Sequence, residues 1–368
     1  MPALDRDGGP RELIAFALDN LGRMQLDSAL FCEELVAGDP APRGTNLRYT
    51  LMTWLGLHKA QATGYAHDFD LDRIRHALIA RLDAPQLRPG DLGLHLWVDA
   101  LAGREHGDDL LARLRGALAR EGGMQAREGM EIAWIVIGLA HQVTAGAGAP
   151  ARDLLRVAVD HALGRQHVTS GLFAHTGAGG GFRRRFPNFA TQIYSVLALA
   201  TMAAHRLDGG GRALGAARRA SASLQELQLP DGGWPWLYDV RTGRVVERYE
   251  VYTVHQTAMA PMAMLQLTEV SGERSHADAA ARGLEWVQGR NELGVRMLLE
   301  DDRILCRSIR RRSPWSRAFL YGNTAASTLT GAGRALGGGG TVELNRTDRP
   351  YHLGWVLEAW CGREDMLA

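Results

Sequence analysis

Lysine is almost missing from this chain: Lys59 stands alone among 42 basic residues, and the rest are arginine. That bias, beside abundant alanine and 44 glycines, reads as base composition of the genome, so an arginine cluster weighs less than usual here. Neither sign of charge is in surplus. A net charge of +1 argues against general nucleic-acid binding, which needs a basic face. Cysteine is scarce, with Cys32, Cys306 and Cys361 far apart and without CxxC or Cys/His spacing, so neither a disulfide framework nor a zinc site is indicated. Long apolar runs are lacking too. The longest, IAWIVIGLA at 132–140, is about half of the ~20 residues a membrane span needs. The opening MPALDRDGGPRELIAF has no basic segment followed by an apolar one, so no signal peptide is expected and the chain reads as soluble and cytoplasmic. No G-x-S-x-G elbow occurs. The glycine runs GAGGGF (177–182) and GAGRALGGGG (331–340) lack the GKS/T of a phosphate loop, so no nucleotide, metal or other cofactor is expected.

What is present is helical periodicity. With 368 residues, 46% hydrophobic and 23% charged, the chain can bury a sizeable core. Apolar spacing predicts helices near 10–24, 45–62, 70–83, 91–102, 108–121, 128–145, 151–165, 188–205, 211–228, 253–271, 275–290, 316–336 and 351–361. Breaks such as APQLRPGD and TAGAGAPA separate them. Only RVVERYEVY (244–252) and RMLLEDDRILC (296–306) read as extended, which predicts local hairpins on an all-α body. Ile132–Ala140, Val196–Ala204 and Ala258–Leu267 are apolar on every face and fit inner helices, whereas ARDLLRVAVDHALGRQ and HADAAARGLEWVQGR are amphipathic and fit outer ones. A weak repeat relates residues 171–205 to 232–267, with Gly171 and Gly232 at matching turns. The expectation is an (α/α)6 toroid of six helical hairpins in a single domain over 1–368, a helical segment over 1–44 leading into the main toroid at 45–365.

The stretch SLQELQLPDGGW, Ser223 to Trp234, resembles the Q-x-x-x-G-x-W turn of terpenoid cyclase and protein prenyltransferase toroids. The stretch GGWPWLYDVRTGR…YTVHQTAMAPMAML resembles the part of glucuronyl epimerases and related sugar enzymes where a GGW turn precedes a Tyr-containing inner helix. Six-hairpin glycosidases, uronyl hydrolases, epimerases and polysaccharide lyases share the barrel, and fold kinship alone names no reaction. The cyclase resemblance would imply a D-x-D-D acid. HDFDLD, with Asp68, Asp70 and Asp72, lacks the final adjacent pair and sits where a helix cap belongs.

Sugar chemistry calls for carboxylates as acid and base, aromatic faces for pyranose rings, and Arg or His for anionic groups. Such residues gather at the starts of the expected inner helices. His175 and Arg183 precede the helix with Asn188 and Gln192. Asp231, Trp234, Trp236, Tyr238 and Asp239 precede the one with Glu250, Tyr252, His255 and Gln256. Arg310, Arg312 and Trp315 precede the one with Tyr321, and His352 opens the last. Candidate catalytic groups are Asp231, Asp239, Glu250, Tyr252 and His255. The stacking platform would be Trp234, Trp236 and Tyr238, with Gln256, His175, Arg183, Asn188, Gln192, Arg310, Arg312, Tyr321 and His352 as further binding groups. Each has a packing alternative. Trp234 can staple two hairpins, and His255–Gln256 on an apolar helix can be a satisfied core pair. Pro261, in the same helix, predicts a kink. The arginines between Arg303 and Arg317 can bind an acidic substrate or form a solvated face. The reading is a carbohydrate-active enzyme acting on an anionic polysaccharide or glycoconjugate as hydrolase, lyase or epimerase. An isoprenoid-handling toroid and a non-catalytic helical scaffold are the alternatives.

Overall fold

Twelve helices of two turns or more form six hairpins in the computed structural model, which describes residues 9–177, 180–312, 318, 321–325, 328 and 341–367. The helix expected over 316–336, Trp315, Arg317 and the glycine run at 331–340 lie largely or wholly outside the described residues. Six inner helices close a ring: α2 (Leu47–Ala62), α4 (Pro89–Leu101), α6 (Gly129–Thr144), α9 (Phe189–Ala204), α11 (Ala260–Ser271) and α13 (Pro350–Trp360), with α13 packed back on α2. Each outer helix packs on the inner helix before it: α3 (Leu71–Ile79) on α2, α5 (Gly107–Arg120) on α4, α7 (Ala149–Leu163) on α6, α10 (Arg212–Leu227) on α9, and α12 (Arg274–Val287) on α11. The sixth outer helix is α1 (Pro10–Met24), which packs on α13, so the two ends of the chain complete the last hairpin. A short helix, α8 (Gly181–Arg185), lies in the loop before α9.

Local chemistry fixes the helix starts. Asn46, Asp70 and Asn188 are N-caps whose side chains accept the backbone N–H of Tyr49, Arg73 and Thr191. Asp70 is therefore a cap. Pro10, Pro89 and Pro350 occupy first helical positions, where a missing N–H is harmless. Inner helices bury most of their residues. Outer helices show Arg and Glu to solvent, as α10 and α12 do.

Ring closure depends on glycine. A methyl group on Gly56 of α2 would overlap the carbonyl oxygen of Gly354 on α13, and one on Gly138 of α6 would overlap that of Gly93 on α4. The helices of these two inner pairs thus touch backbone to backbone.

The sequence repeat becomes a repeated staple. Gln166 Nε2 donates to the carbonyls of Gly171 (2.9 Å) and Ala216 (2.8 Å), and Gln228 Nε2 donates to those of Gly232 (2.8 Å) and Ala279 (3.0 Å). Arg219 and Arg282 donate to the two glutamine oxygens. One turn on, Gln192 grips the backbone of Phe173, its Oε1 accepting from Phe173 N and its Nε2 donating to the Phe173 carbonyl, and Gln256 Oε1 accepts from Trp234 N. The Gln-to-Gly turn is therefore a hairpin-to-hairpin clamp. Gly232 needs its positive φ of +89°, and any Cβ there would strike the Arg282 carbonyl.

Four small antiparallel sheets decorate the ring. The hairpin expected at 296–306 forms from β6 (Leu298–Leu299) and β7 (Ile304–Leu305). The segment 244–252 contributes to two sheets. Its first half, β4 (Arg244–Glu247), pairs with β3 (Leu237–Asp239), and its second, β5 (Val251–Tyr252), pairs with β8 (Ser308–Arg311). The strand β9 (Val342–Asn345) completes the second sheet, and β1 (Glu34–Val36) joins β2 (Asp39–Arg43) to β10 (Thr347–Asp348). No helix among the described residues is long and apolar enough to cross a membrane.

Candidate functional site

The inner helices bring their N-terminal ends together at one mouth. Two neighbours are tied there by Arg48 of α2, whose guanidinium grips Asp91 of α4 in a two-pronged pair (Nε–Oδ1 2.5 Å, Nη2–Oδ2 3.1 Å). Tyr49 of α2 stacks on Tyr351 of α13 with centroids 4.5 Å apart, and Arg349 donates to the Tyr49 hydroxyl at 2.8 Å. Before α6, Glu128 meets His175 (3.5 Å) and Arg183 (2.9 Å); the His175 imidazole, with help from Arg183, holds the Glu128 carboxyl down to about 2. One layer deeper along the helices lie the rings of Trp134, Tyr194 and Trp355. Arg48 lies 5.1 Å from the Trp134 ring centroid.

Glu250 is framed by the β5–β8–β9 sheet. In that register Tyr252 faces Ser308 and Ser308 faces Asn345, so three side chains converge on one carboxylate. Ser308 Oγ makes a short hydrogen bond to Glu250 Oε1, Asn345 Nδ2 donates to the same oxygen at 3.4 Å, and the Tyr252 hydroxyl donates to Oε2 at 3.1 Å. Burial, then the Glu250 charge, push the Tyr252 phenol well above its ordinary range, so Tyr252 stays protonated and donating. Arg307 lies over the Tyr252 ring at 5.4 Å. Among the described residues it makes no ion pair, and its Nε is buried without a hydrogen-bond partner.

Beyond β5 the chain enters α11 through a π turn, His255–Met259. Pro261 has no N–H to offer, and the carbonyl of Thr257, four residues earlier, is taken by the Trp360 indole at 2.6 Å instead. The predicted kink is thus a widened turn. His255 sits in it among Tyr252 (5.2 Å), Phe189 (4.8 Å) and the parallel ring of Trp236 (6.2 Å, 5°). Burial, with His352 nearby, lowers the His255 imidazole to about 3, so it is neutral, and its Nδ1 has no partner among the described residues.

Burial sorts the candidates. Glu250, Tyr252, Trp236 and His255 form one group at the mouth, with Trp236 and Tyr252 only half-buried. Trp234 and Tyr238 are 0% exposed, which corrects their place in the stacking platform: neither presents a face to a sugar. Trp234 instead stacks on Phe189 at 5.1 Å. Asp239, also 0% exposed, is gripped by Arg185 (Nε 3.0 Å, Nη2 2.6 Å) and caps its own turn through Arg241 N. Asp231 caps the Gly232–Gly233 turn and pairs with Arg248. Gln192 and Gln256 are sealed inside the clamps described above, and Asn188 is spent as the α9 cap. His352 is buried and hydrogen-bonded through Nε2 to Thr257 Oγ1 (2.7 Å). Arg310 and Arg312 are exposed and share Glu343 across the β8–β9 ladder, and Tyr321 is 62% exposed.

Arg48, Asp91, Tyr49, Glu128, Ser308 and Asn345 are mouth residues that the sequence reading did not single out as site candidates, whereas Arg307 belongs to the arginine run it weighed for an acidic substrate. Some signal existed for the first four, which lie within a turn of an inner-helix start. Ser308 and Asn345 carry none, because only strand register brings them to Glu250. Among the described residues no group of three His, Cys, Asp or Glu side chains is placed to hold a metal ion.

Comparison with known proteins yields no matching family model and no matching curated protein. Solved structures do match. The chain is similar to an unsaturated glucuronyl hydrolase specific for heparin (15% identity, 98% of this chain and 96% of that one, TM-score 0.63) and to a sugar epimerase from a ruminal bacterium (11%, 95% and 98%, 0.62). It is likewise similar to the cellobiose 2-epimerase of Bacillus thermoamylovorans (9%, 95% and 98%, 0.62). Likeness at such low identity across nearly the whole chain establishes the fold: an α/α toroid of the six-hairpin type.

Proposed function

We propose that this chain is a carbohydrate-active enzyme that binds an acidic saccharide at the mouth of the toroid and works on it by acid/base chemistry. The observation that carries the reading is the group Glu250–Tyr252–His255–Trp236 beside Arg307, at the end of the ring where the inner helices begin. Trp236 and Tyr252 supply ring faces for a pyranose. Glu250 accepts and the Tyr252 hydroxyl donates, which is the couple needed to take a proton at one atom and return it at another. Among the described residues, Arg307 is a mouth guanidinium without a carboxylate partner and so can take a sugar carboxylate, whereas Arg48, Arg183, Arg185 and Arg310 are already paired. The sugar enzymes among the similar folds support this reading without specifying bond or stereocentre.

The test is a panel of uronate-containing and neutral oligosaccharides, followed by mass and NMR for a new reducing end, an unsaturated product or an inverted carbon. Turnover of an acidic member is expected, with Glu250→Gln and Tyr252→Phe each lowering kcat by about 10²–10⁴-fold. Arg307→Met should raise KM for acidic sugars and leave neutral ones unchanged. No binding by any sugar, or full activity in Glu250→Gln, would overturn the reading.

A further inference from the structure

The half-buried ring of Trp236 is the inner end of a line of aromatic side chains that leads away from Glu250. Tyr252 and Trp236 lie 5.1 Å apart, and Trp236 packs against the small cluster of Phe186, Leu237 and Val246. Phe186 lies 4.8 Å from Phe182, and Phe182 lies 6.2 Å from Tyr321. The outer two rings come from different segments, Phe182 from α8 and Tyr321 from the helical residues 321–325, and are the only exposed aromatic side chains among the described residues, at 44% and 62%. Exposed rings give up apolar burial, so this pair is unlike the other aromatics among the described residues, which are more fully covered.

Resting on the reading above, we propose that Phe182 and Tyr321 form a distal subsite that stacks on a sugar unit several residues from the reacting one, so that the substrate is an oligosaccharide chain and not a mono- or disaccharide. The occupant is argued from two features. Phe186, between Trp236 and Phe182, is buried, so the exposed pair lies one covered ring beyond the faces proposed for the reacting pyranose, within reach of further units of the same chain. Positive charge borders the pair at exposed Arg184, two residues from Phe182, which suits repeated anionic units.

The test is a length series: oligogalacturonides, heparin fragments, hyaluronan fragments and cello-oligosaccharides, each as disaccharide and hexasaccharide, titrated into wild type, Phe182→Ala, Tyr321→Ala and Glu250→Gln by calorimetry. In at least one series the hexasaccharide should bind about tenfold more tightly than the disaccharide, the scale of one ring contact. Each aromatic variant should erase most of that gain while disaccharide affinity and the melting temperature stay put. Glu250→Gln should keep the gain while losing turnover. A disaccharide that binds or turns over as well as its hexasaccharide sinks the distal subsite but leaves the enzyme reading standing, as does an undiminished length effect in both aromatic variants. If no member of any series binds, both fall.

Discussion

Replacing Asp239 by alanine separates a catalytic carboxylate from a structural one. Its two oxygens take two hydrogen bonds from Arg185 and one from Arg241 N, in a place with no solvent exposure. Removing one partner of a buried pair costs about 3–5 kcal/mol, because the other charge is left unmatched. Arg185 is itself partly exposed, with 17% of its side chain accessible, so it can recover some hydration. We therefore expect a loss of about 3 kcal/mol for Asp239→Ala and about 1–2 kcal/mol for Asp239→Asn, which keeps the turn acceptor. Urea unfolding followed by tryptophan fluorescence measures it, since Trp234 and Trp236 lie in the same loop. Asp239→Leu combined with Arg185→Met should be less damaging than the two single changes summed. The reasoning fails if Asp239→Ala unfolds within about 1 kcal/mol of wild type while turnover collapses. Asp239 would then be acting on substrate.

Three further outcomes follow from the geometry. Gly56→Ala or Gly138→Ala, each forcing a methyl into a neighbouring backbone carbonyl, should destabilise by at least about 1–3 kcal/mol in thermal or urea unfolding, whereas Ala at exposed Gly22 should not. Burial lowers His255 and His352 to about 3, and in the unfolded chain both titrate near 6.5, so their neutral forms stabilise fully above that value. Stability should fall as pH drops from about 6.5 towards 3, and a more acid-tolerant His352→Gln would agree with this. Asp348 runs the other way. Burial raises it to about 7, so its contribution is complete below about 4 and is lost as pH rises from there through 7, and Asp348→Asn should flatten that loss between about pH 4 and 7 in a pH series of melting temperatures.

The candidate residues divide along a physical line. Apolar period and cap residues are local properties, and they placed nearly every helix, the inner and outer classes and the Asp70 cap from the sequence. The Gln228–Gly232–Trp234 turn was legible as a repeat, but not as a clamp, because its partners Ala279 and Arg282 are some fifty residues further on. Aromatic and acidic richness in 228–239 pointed to a pocket wall, and packing left only Trp236 with a face towards it. Trp234, Tyr238 and Asp239 carry the same chemistry and were sealed inside, a difference of burial that alternation along a short loop does not encode. Glu250 and Tyr252 were readable as candidates, while the Ser308 and Asn345 groups that frame Glu250 depend on the register between strands far apart in the chain. What the sequence determined by itself was therefore the set of helices and the end of the ring where polar and aromatic side chains gather, since periodicity and capping act within a few residues. Which of those groups face solvent, which are spent on ion pairs and which guanidinium is left over were decided only by long-range packing, where burial and pairing are settled between segments that the local pattern never relates.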